Sequence, residues 1–278
     1  MLCIKNLVQN NFNKARLILL LPAIIILFFI ILGLLSQGSL SVDNYVEIQK
    51  DLFFYMNSTL SEMPNIQINL TQLGNPLILF SLLTIFIIYT PRFWTAILIS
   101  TIISAILSVI LKELFDVPRP SVKFNHDSFV IIGEIHSGYA SLPSGHSMTF
   151  FTAITLLLFA FMPKKFNSKI AWIIFIIMLG VFVAISRIGV GAHFPLDVVI
   201  GASIGYIAAI FAIVITNKIK CGAWIDHKKY HIIIMVLLTL WGCAIVNEIL
   251  TANLFVFYFA LISIITTLYL MLKSHVKK

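Results

Sequence analysis

The chain has 278 residues, 60% hydrophobic and only 11% charged, whereas soluble domains carry roughly a quarter charged residues. Apolar runs this long and dense exclude a soluble globular protein and define an integral membrane protein. The net charge of +8 is no sign of nucleic-acid binding, because the cations sort with the loops of a membrane topology. Cys3, Cys221 and Cys243 are scattered without ligand spacing, so neither a disulfide framework nor a zinc site is expected.

A spanning helix needs about 20 mostly apolar residues. In chain order, eight candidates follow a short N-terminal stretch, 1–16: roughly 17–36, 72–90, 93–112, 145–162, 170–187, 196–217, 231–248 and 254–273. The first is too long for a signal-peptide core and no small-residue cleavage site follows it, so it reads as an uncleaved anchor. The second is interrupted at its start by Gly74, Asn75 and Pro76. The expected fold is therefore all-α, a polytopic membrane bundle of eight helices. When the loops are assigned to alternate sides, 14 of the 19 Lys and Arg residues fall on one side. Only Lys50, Lys112, Arg119, Lys123 and Arg187 fall on the other, and of the acids Asp226 alone joins the basic side. Cytoplasmic loops carry the basic excess, which places both termini in the cytoplasm and makes anionic lipid headgroups natural neighbours of the basic loops.

Three segments of the poorly basic face break the apolar pattern. In 112–120, KELFDVPRP, Lys112 ends the third helix, and Pro118 and Pro120 force an extended exit that presents Arg119. In 141–150, SLPSGHSMTF, Ser144 stands where an N-cap belongs, Gly145 leaves backbone room, and the free N–H groups of the helix start suit an anion. In 186–197, SRIGVGAHFPLD, Gly189 and Gly191 allow a bend between Arg187 and His193, and Pro195 suits a first helical turn. His193 and Asp197 are four residues apart and share a face if that turn begins early.

The cations and N–H groups suit a phosphate or another oxyanion. His193 and His146 can divide nucleophile and acid roles near neutral pH, and an adjacent carboxylate fixes a histidine's tautomer and stabilises its cation. No carboxylate cluster suggests a metal-dependent phosphatase, so phosphoryl transfer through a phosphohistidine is the matching chemistry. Each residue also has a plainer reading. Lys112 can be a snorkelling helix-end lysine, Arg119 a loop cation holding Asp116, and Arg187 with Asp197 a structural ion pair. His193 can be a packed interfacial histidine, and PSGH a turn with an N-cap.

With these residues in place, the sequence resembles the type 2 phosphatidic acid phosphatase superfamily of membrane lipid phosphatases. Lys112, six residues, then Arg119-Pro120 match its first signature; Pro143-Ser144-Gly145-His146 match the second; Ser186-Arg187, five residues, His193, three residues and Asp197 match the third. The resemblance implies a six-helix phosphatase domain over 17–217 and makes His193 the nucleophile, Asp197 its orienting partner, and His146 the acid and then the base. It also implies that Lys112, Arg119, Ser144, Gly145 and Arg187 bind phosphate, and that no metal or other cofactor is needed. Residues 218–278 depart from that frame, adding two apolar helices without a motif and a basic tail. His126 and His136 match no signature and read as solvent-exposed loop histidines. Asn247 and Glu248 read as a helix end. Asn57-Ser58-Thr59 and Asn69-Leu70-Thr71 are formal glycosylation sequons, of little weight because the Ile, Lys and Asn bias is bacterial.

The implied substrate is a membrane lipid phosphate met at the outer face of a bacterial inner membrane, with no nucleic-acid partner. Undecaprenyl diphosphate, lipid A, phosphatidylglycerol phosphate and phosphatidic acid remain open, the first and second being available on the outer leaflet. A lipid phosphotransferase using the same site is the chemical rival. A lipid or ion transporter is a rival of another class, and it predicts broken helices in two related halves. Oligomeric state is not legible.

Overall fold

The computed structural model describes residues 2–219 and 228–276; Cys221 and Asp226 lie outside them. Helix α1 (Leu2–Phe12) precedes a 3-10 turn, Leu17–Leu20, that runs into α2 (Leu21–Ser36). Three short helices follow: α3 (Val42–Glu47), α4 (Lys50–Leu60) and α5 (Pro64–Gln72). Next come α6 (Pro76–Leu83), α7 (Phe86–Tyr89), α8 (Pro91–Phe115) and the one-turn α9 (Pro120–Lys123). After a long loop the chain forms α10 (Gly145–Ala160), α11 (Phe166–Gly189) and α12 (Pro195–Lys218), then α13 (Lys228–Ala252) and α14 (Phe255–Val276). No strand occurs among the described residues, and the protein is an all-α polytopic membrane bundle.

Among the described residues six helices are long and apolar enough to cross a membrane by themselves, fewer than the eight straight spans expected. The second expected span, 72–90, falls on the short helices α6 and α7, and it is α5 and α6, meeting at 70°, that together make a bent candidate span. Gly74-Asn75-Pro76 causes the break: Asn75 is extended, its Oδ1 accepts from the Leu77 N–H at 3.0 Å, and Pro76 starts α6 afresh. The fourth, α10, has only 16 residues, about 24 Å at 1.5 Å per residue. The short helices α3–α5 escaped the sequence reading because their polar composition resembles a loop.

Helices α10 and α12 form the closest pair. A Cβ at Gly205 would lie 2.3 Å from the Met148 carbonyl oxygen, and one at Gly201 would lie 2.7 Å from that of Ser144. Only glycine permits this backbone approach, which sets the starts of the two helices side by side. The main core joins α6, α8, α10 and α12 through residues such as Ile78, Phe93, Ile97, Leu156 and Ile213. A second cluster binds α3 and α4 to the start of α12, with Val46, Phe53 and Phe194 all fully buried. Phe53 meets Phe194 edge-on at 5.4 Å. Helices α13 and α14 pack on each other and flank α6, where Trp241 Nε1 donates to the Leu77 carbonyl at 3.0 Å and Thr84 and Thr267 hydroxyls meet at 3.0 Å. Asn247 and Glu248 lie in the last turns of α13, their carbonyls accepting from Thr251.

Candidate active site

Every motif residue falls at one end of the bundle. Lys112 lies in the last turn of α8, Arg119 immediately precedes α9, and Ser144, Gly145 and His146 open α10. Arg187 lies in the last turn of α11, His193 in the loop that follows, and Asp197 in the first turn of α12. Gly191 takes a φ of +77° between Arg187 and His193, the bend expected there, and it leaves no room for a side chain beside the Val130 carbonyl.

Asp197 is the best-anchored group of the site. It is wholly buried. Its Oδ2 accepts from the Phe194 N–H at 3.0 Å and from Ser141 Oγ at 2.6 Å, and its Oδ1 accepts from Tyr45 Oη at 2.8 Å. Pro195 occupies the first helical position, so the Asp197 carboxylate reaches back to the amide that precedes the helix. His193 Nδ1 stands 3.6 Å from Asp197 Oδ2, with no hydrogen-bond partner closer. The imidazole is buried, and burial together with the Arg187 and Arg119 guanidinium groups holds its proton affinity well below the usual histidine range.

Arg187 is 2% exposed; one Nη donates to Thr71 Oγ1 on α5, while its Nε faces no protein acceptor. Among the described residues it forms no ion pair with Asp197, which instead faces His193, and Arg119 forms none with Asp116. Arg119 Nη1 donates to the Ala192 carbonyl at 3.4 Å, next to the nucleophile candidate. Lys112 Nζ lies 3.6 Å from where a Gly145 side chain would begin. Ser144 holds the N-cap position but does not cap with its side chain, contrary to expectation. Its hydroxyl accepts from Ser147 Oγ at 3.0 Å, and its N–H donates to the Asp197 carbonyl at 3.0 Å. The N–H groups opening α10 are thereby left without a side-chain cap, facing the cations, where an anion would be received.

Two expectations about other residues change. His136 is half-buried and faces the site, unlike the exposed His126. Its carbonyl accepts from Ser121 Oγ, and the neighbouring Gly138 carbonyl accepts from the Arg119 N–H at 3.1 Å. Burial, Arg187 and Arg119 hold its imidazole below the usual range, with Glu134 opposing. Asn57, the first sequon, is 1% exposed: its amide donates to the Val130 and Ile188 carbonyls, both at 3.0 Å, so it is a loop clamp and no glycan acceptor. Sequence reasoning also missed Tyr45, Thr71 and Ser141. Ser141 sits just ahead of PSGH and was within reach of a local reading; Tyr45 and Thr71 come from distant short helices and carry no motif.

A cavity of about 260 Å³ opens at His146. It is lined by Gly74 and Pro76 at the helix break, by Thr101, Ser104 and Ser108 of α8, and by Gly145, Thr149 and Thr152 of α10. Among the described residues no three His, Cys, Asp or Glu side chains converge as a metal site would require.

A buried His–Asp pair flanked by a second histidine and three cations thus lies at one end of a polytopic helical membrane bundle. Residues 93–221 match the model of the PAP2 superfamily. The chain is 29% identical to an undecaprenyl-diphosphatase of Sulfolobus acidocaldarius over 188 residues, 66% of this chain and 84% of that one. It is 33% identical to a lipid A 1-phosphatase of Rhizobium johnstonii over 128 residues, 44% of this chain and 47% of that one. The chain thus spans about half the length of most curated relatives it matches, at 53%, 47% and 49%. The crystal structure of Aquifex aeolicus LpxE superposes with a TM-score of 0.50 at 25% identity, covering 60% of this chain and 95% of that one. All the motif residues lie within the matched region; Tyr45 and Thr71 lie outside it.

Proposed function

We propose that the protein is an integral-membrane lipid phosphatase that removes phosphate from a lipid phosphate or diphosphate through a phosphohistidine on His193. The observation that carries this reading is the His193–Asp197 pair. Nδ1 faces the carboxylate at 3.6 Å, which leaves Nε2 as the nitrogen free to attack phosphorus. Arg187, Arg119, Lys112 and the start of α10 receive the phosphoryl oxygens and stabilise the charge spread over them in the transition state. As the Nε2–P bond forms and the P–O bond to the lipid breaks, His146 gives its proton to the leaving oxygen. His146 then takes a proton from water, whose oxygen attacks phosphorus, the N–P bond breaks and inorganic phosphate departs. Asp197 holds the His193 ring and stabilises its positive charge throughout. No metal takes part in this scheme.

The substrate reading rests on where the cavity lies. His146 faces a chamber between α8 and α10, inside the bundle, which suits a phosphate carried on a lipid. The relatives' names and availability on the outer leaflet favour a polyprenyl diphosphate such as undecaprenyl diphosphate, or lipid A. The sorting of basic residues supports cytoplasmic termini and a site on the periplasmic side of a bacterial inner membrane. A transporter is disfavoured: the ionisable groups gather at one end, and the described residues hold one bent helix pair instead of a matching two.

Purified protein in detergent with EDTA, offered undecaprenyl diphosphate, lipid A and phosphatidic acid in turn, tests the proposal. Phosphate release that persists in EDTA and disappears in His193→Ala is the expected result. Full turnover by His193→Ala, or a strict need for Mg²⁺, overturns it. Recovery of phosphorylated acceptor lipid in place of free phosphate identifies a phosphotransferase.

A further inference from the structure

We propose that Tyr45 is a positioning residue for this reaction, its hydroxyl holding Asp197 ionised and aimed at His193. The proposal rests on the reading of Asp197 as the partner of His193. Asp197 Oδ2 has two donors, Ser141 Oγ and the Phe194 N–H, and lies on the side of His193. Oδ1 has Tyr45 Oη at 2.8 Å. In a residue with no exposed surface, an oxygen deprived of its donor favours the protonated acid. A protonated Asp197 no longer compensates the positive charge that grows on His193.

The phenol is suited to the task. Tyr45 is 5% exposed, and burial and the nearby Asp197 push its proton affinity well above the usual tyrosine range. It therefore remains an O–H donor at every pH at which the protein works. Its position is fixed on both sides. Gln49 Nε2 donates to the Tyr45 carbonyl at 2.8 Å, while Gln49 Oε1 accepts from the Leu196 N–H at 2.9 Å, in the first turn of α12. Val46 and Phe53, both fully buried, join the same helices to Phe194. The short helices ahead of the matched family region thus clamp the nucleophile's loop and supply one of the carboxylate's three donors.

Tyr45→Phe isolates the hydroxyl, because the ring and its packing remain. With a lipid phosphate substrate in detergent, kcat should fall about tenfold, as expected for a lost hydrogen bond to a charged group, with KM within about twofold since the phenol touches no substrate. The acidic limb of the kcat profile should move upward by about one pH unit. Val46→Ala, which loosens the same packing without touching Asp197, should lower the unfolding temperature and leave the pH profile in place. An unmoved acidic limb in Tyr45→Phe overturns the proposal, whatever its stability; so does failure of that variant to fold, which would make the hydroxyl a structural requirement. Phosphate release abolished in His193→Ala but unaltered in Tyr45→Phe removes this proposal alone. Release that survives in His193→Ala removes the reading beneath it.

Discussion

The two halves of the site differ in their access to solvent. Arg187, His193 and Asp197 are sealed, at 2%, 1% and 0% exposure, while Lys112, Arg119 and His146 are each partly open. The sealed half is held by hydrogen bonds from four other elements: Tyr45 on α3, Thr71 on α5, Ser141 in the loop before α10, and Phe194 just ahead of α12. Of the open half, His146 lines the cavity beside α8 and α10. Orienting a nucleophile demands fixed geometry and little water. Binding a substrate and exchanging protons with it demands access. On the proposed roles the division of the three motifs between the halves matches those demands, and it can be challenged residue by residue.

The largest effect is expected in the sealed half. Asp197→Asn keeps the shape but puts a neutral amide opposite His193, and kcat should fall by about three orders of magnitude, comparable with the loss of an orienting carboxylate elsewhere. Phosphate release with a parallel melting curve measures it; a loss under tenfold would break the comparison. Next come the two arginines. Arg187→Lys loses the planar fork that reaches Thr71 and should cut kcat/KM about a hundredfold, while Arg119→Lys, on the open side, should cut it about tenfold. Equal losses would mean that sealing adds nothing. Gly201→Ala acts indirectly, since its new methyl would meet the Ser144 carbonyl at 2.7 Å. Either α10 shifts or α12 does, so stability should fall by about 1–3 kcal/mol, read from chemical denaturation, with activity falling alongside because Ser144 bridges to Asp197.

How much of this was legible in the sequence depends on range. Long apolar runs gave α2, α8, α11, α12, α13 and α14 to within a few residues, because twenty apolar residues in a row admit little else. The bend between α5 and α6 had its cause in plain view at Gly74-Asn75-Pro76, yet the polar α5 ahead of it reads as a loop. The motif residues were legible because each segment combines a charge with a turn residue, an unusual pairing in an apolar chain. Tyr45, Thr71 and His136 were not, for a physical reason. Their roles come from tertiary contacts that bring α3, α5 and the loop before α10 onto helices far away in sequence. Nothing in the local composition of those segments distinguishes a donor to a buried carboxylate from a surface tyrosine.

The smallest expected effect concerns stability and pH, and again separates the halves. His193 and His136 both sit below the usual imidazole range, for the same first reason, burial, reinforced by Arg187 and Arg119. For a histidine with a lowered folded value, the unfolded chain binds more protons than the folded chain between that value and the ordinary one near 6.5. Stability therefore rises with pH through that window and is lost as pH drops below about 6.5. The unfolding temperature in detergent should be lower at pH 5.5 than at pH 7.5. His136→Asn should shrink this difference slightly, because His136 is only half-buried and Glu134 offsets part of its shift. His193→Asn should shrink it more, because His193 is sealed and also faces His146 and Lys112. If the two variants shrink it equally, the sealed half owes its low proton affinity to the shared arginines and not to its burial.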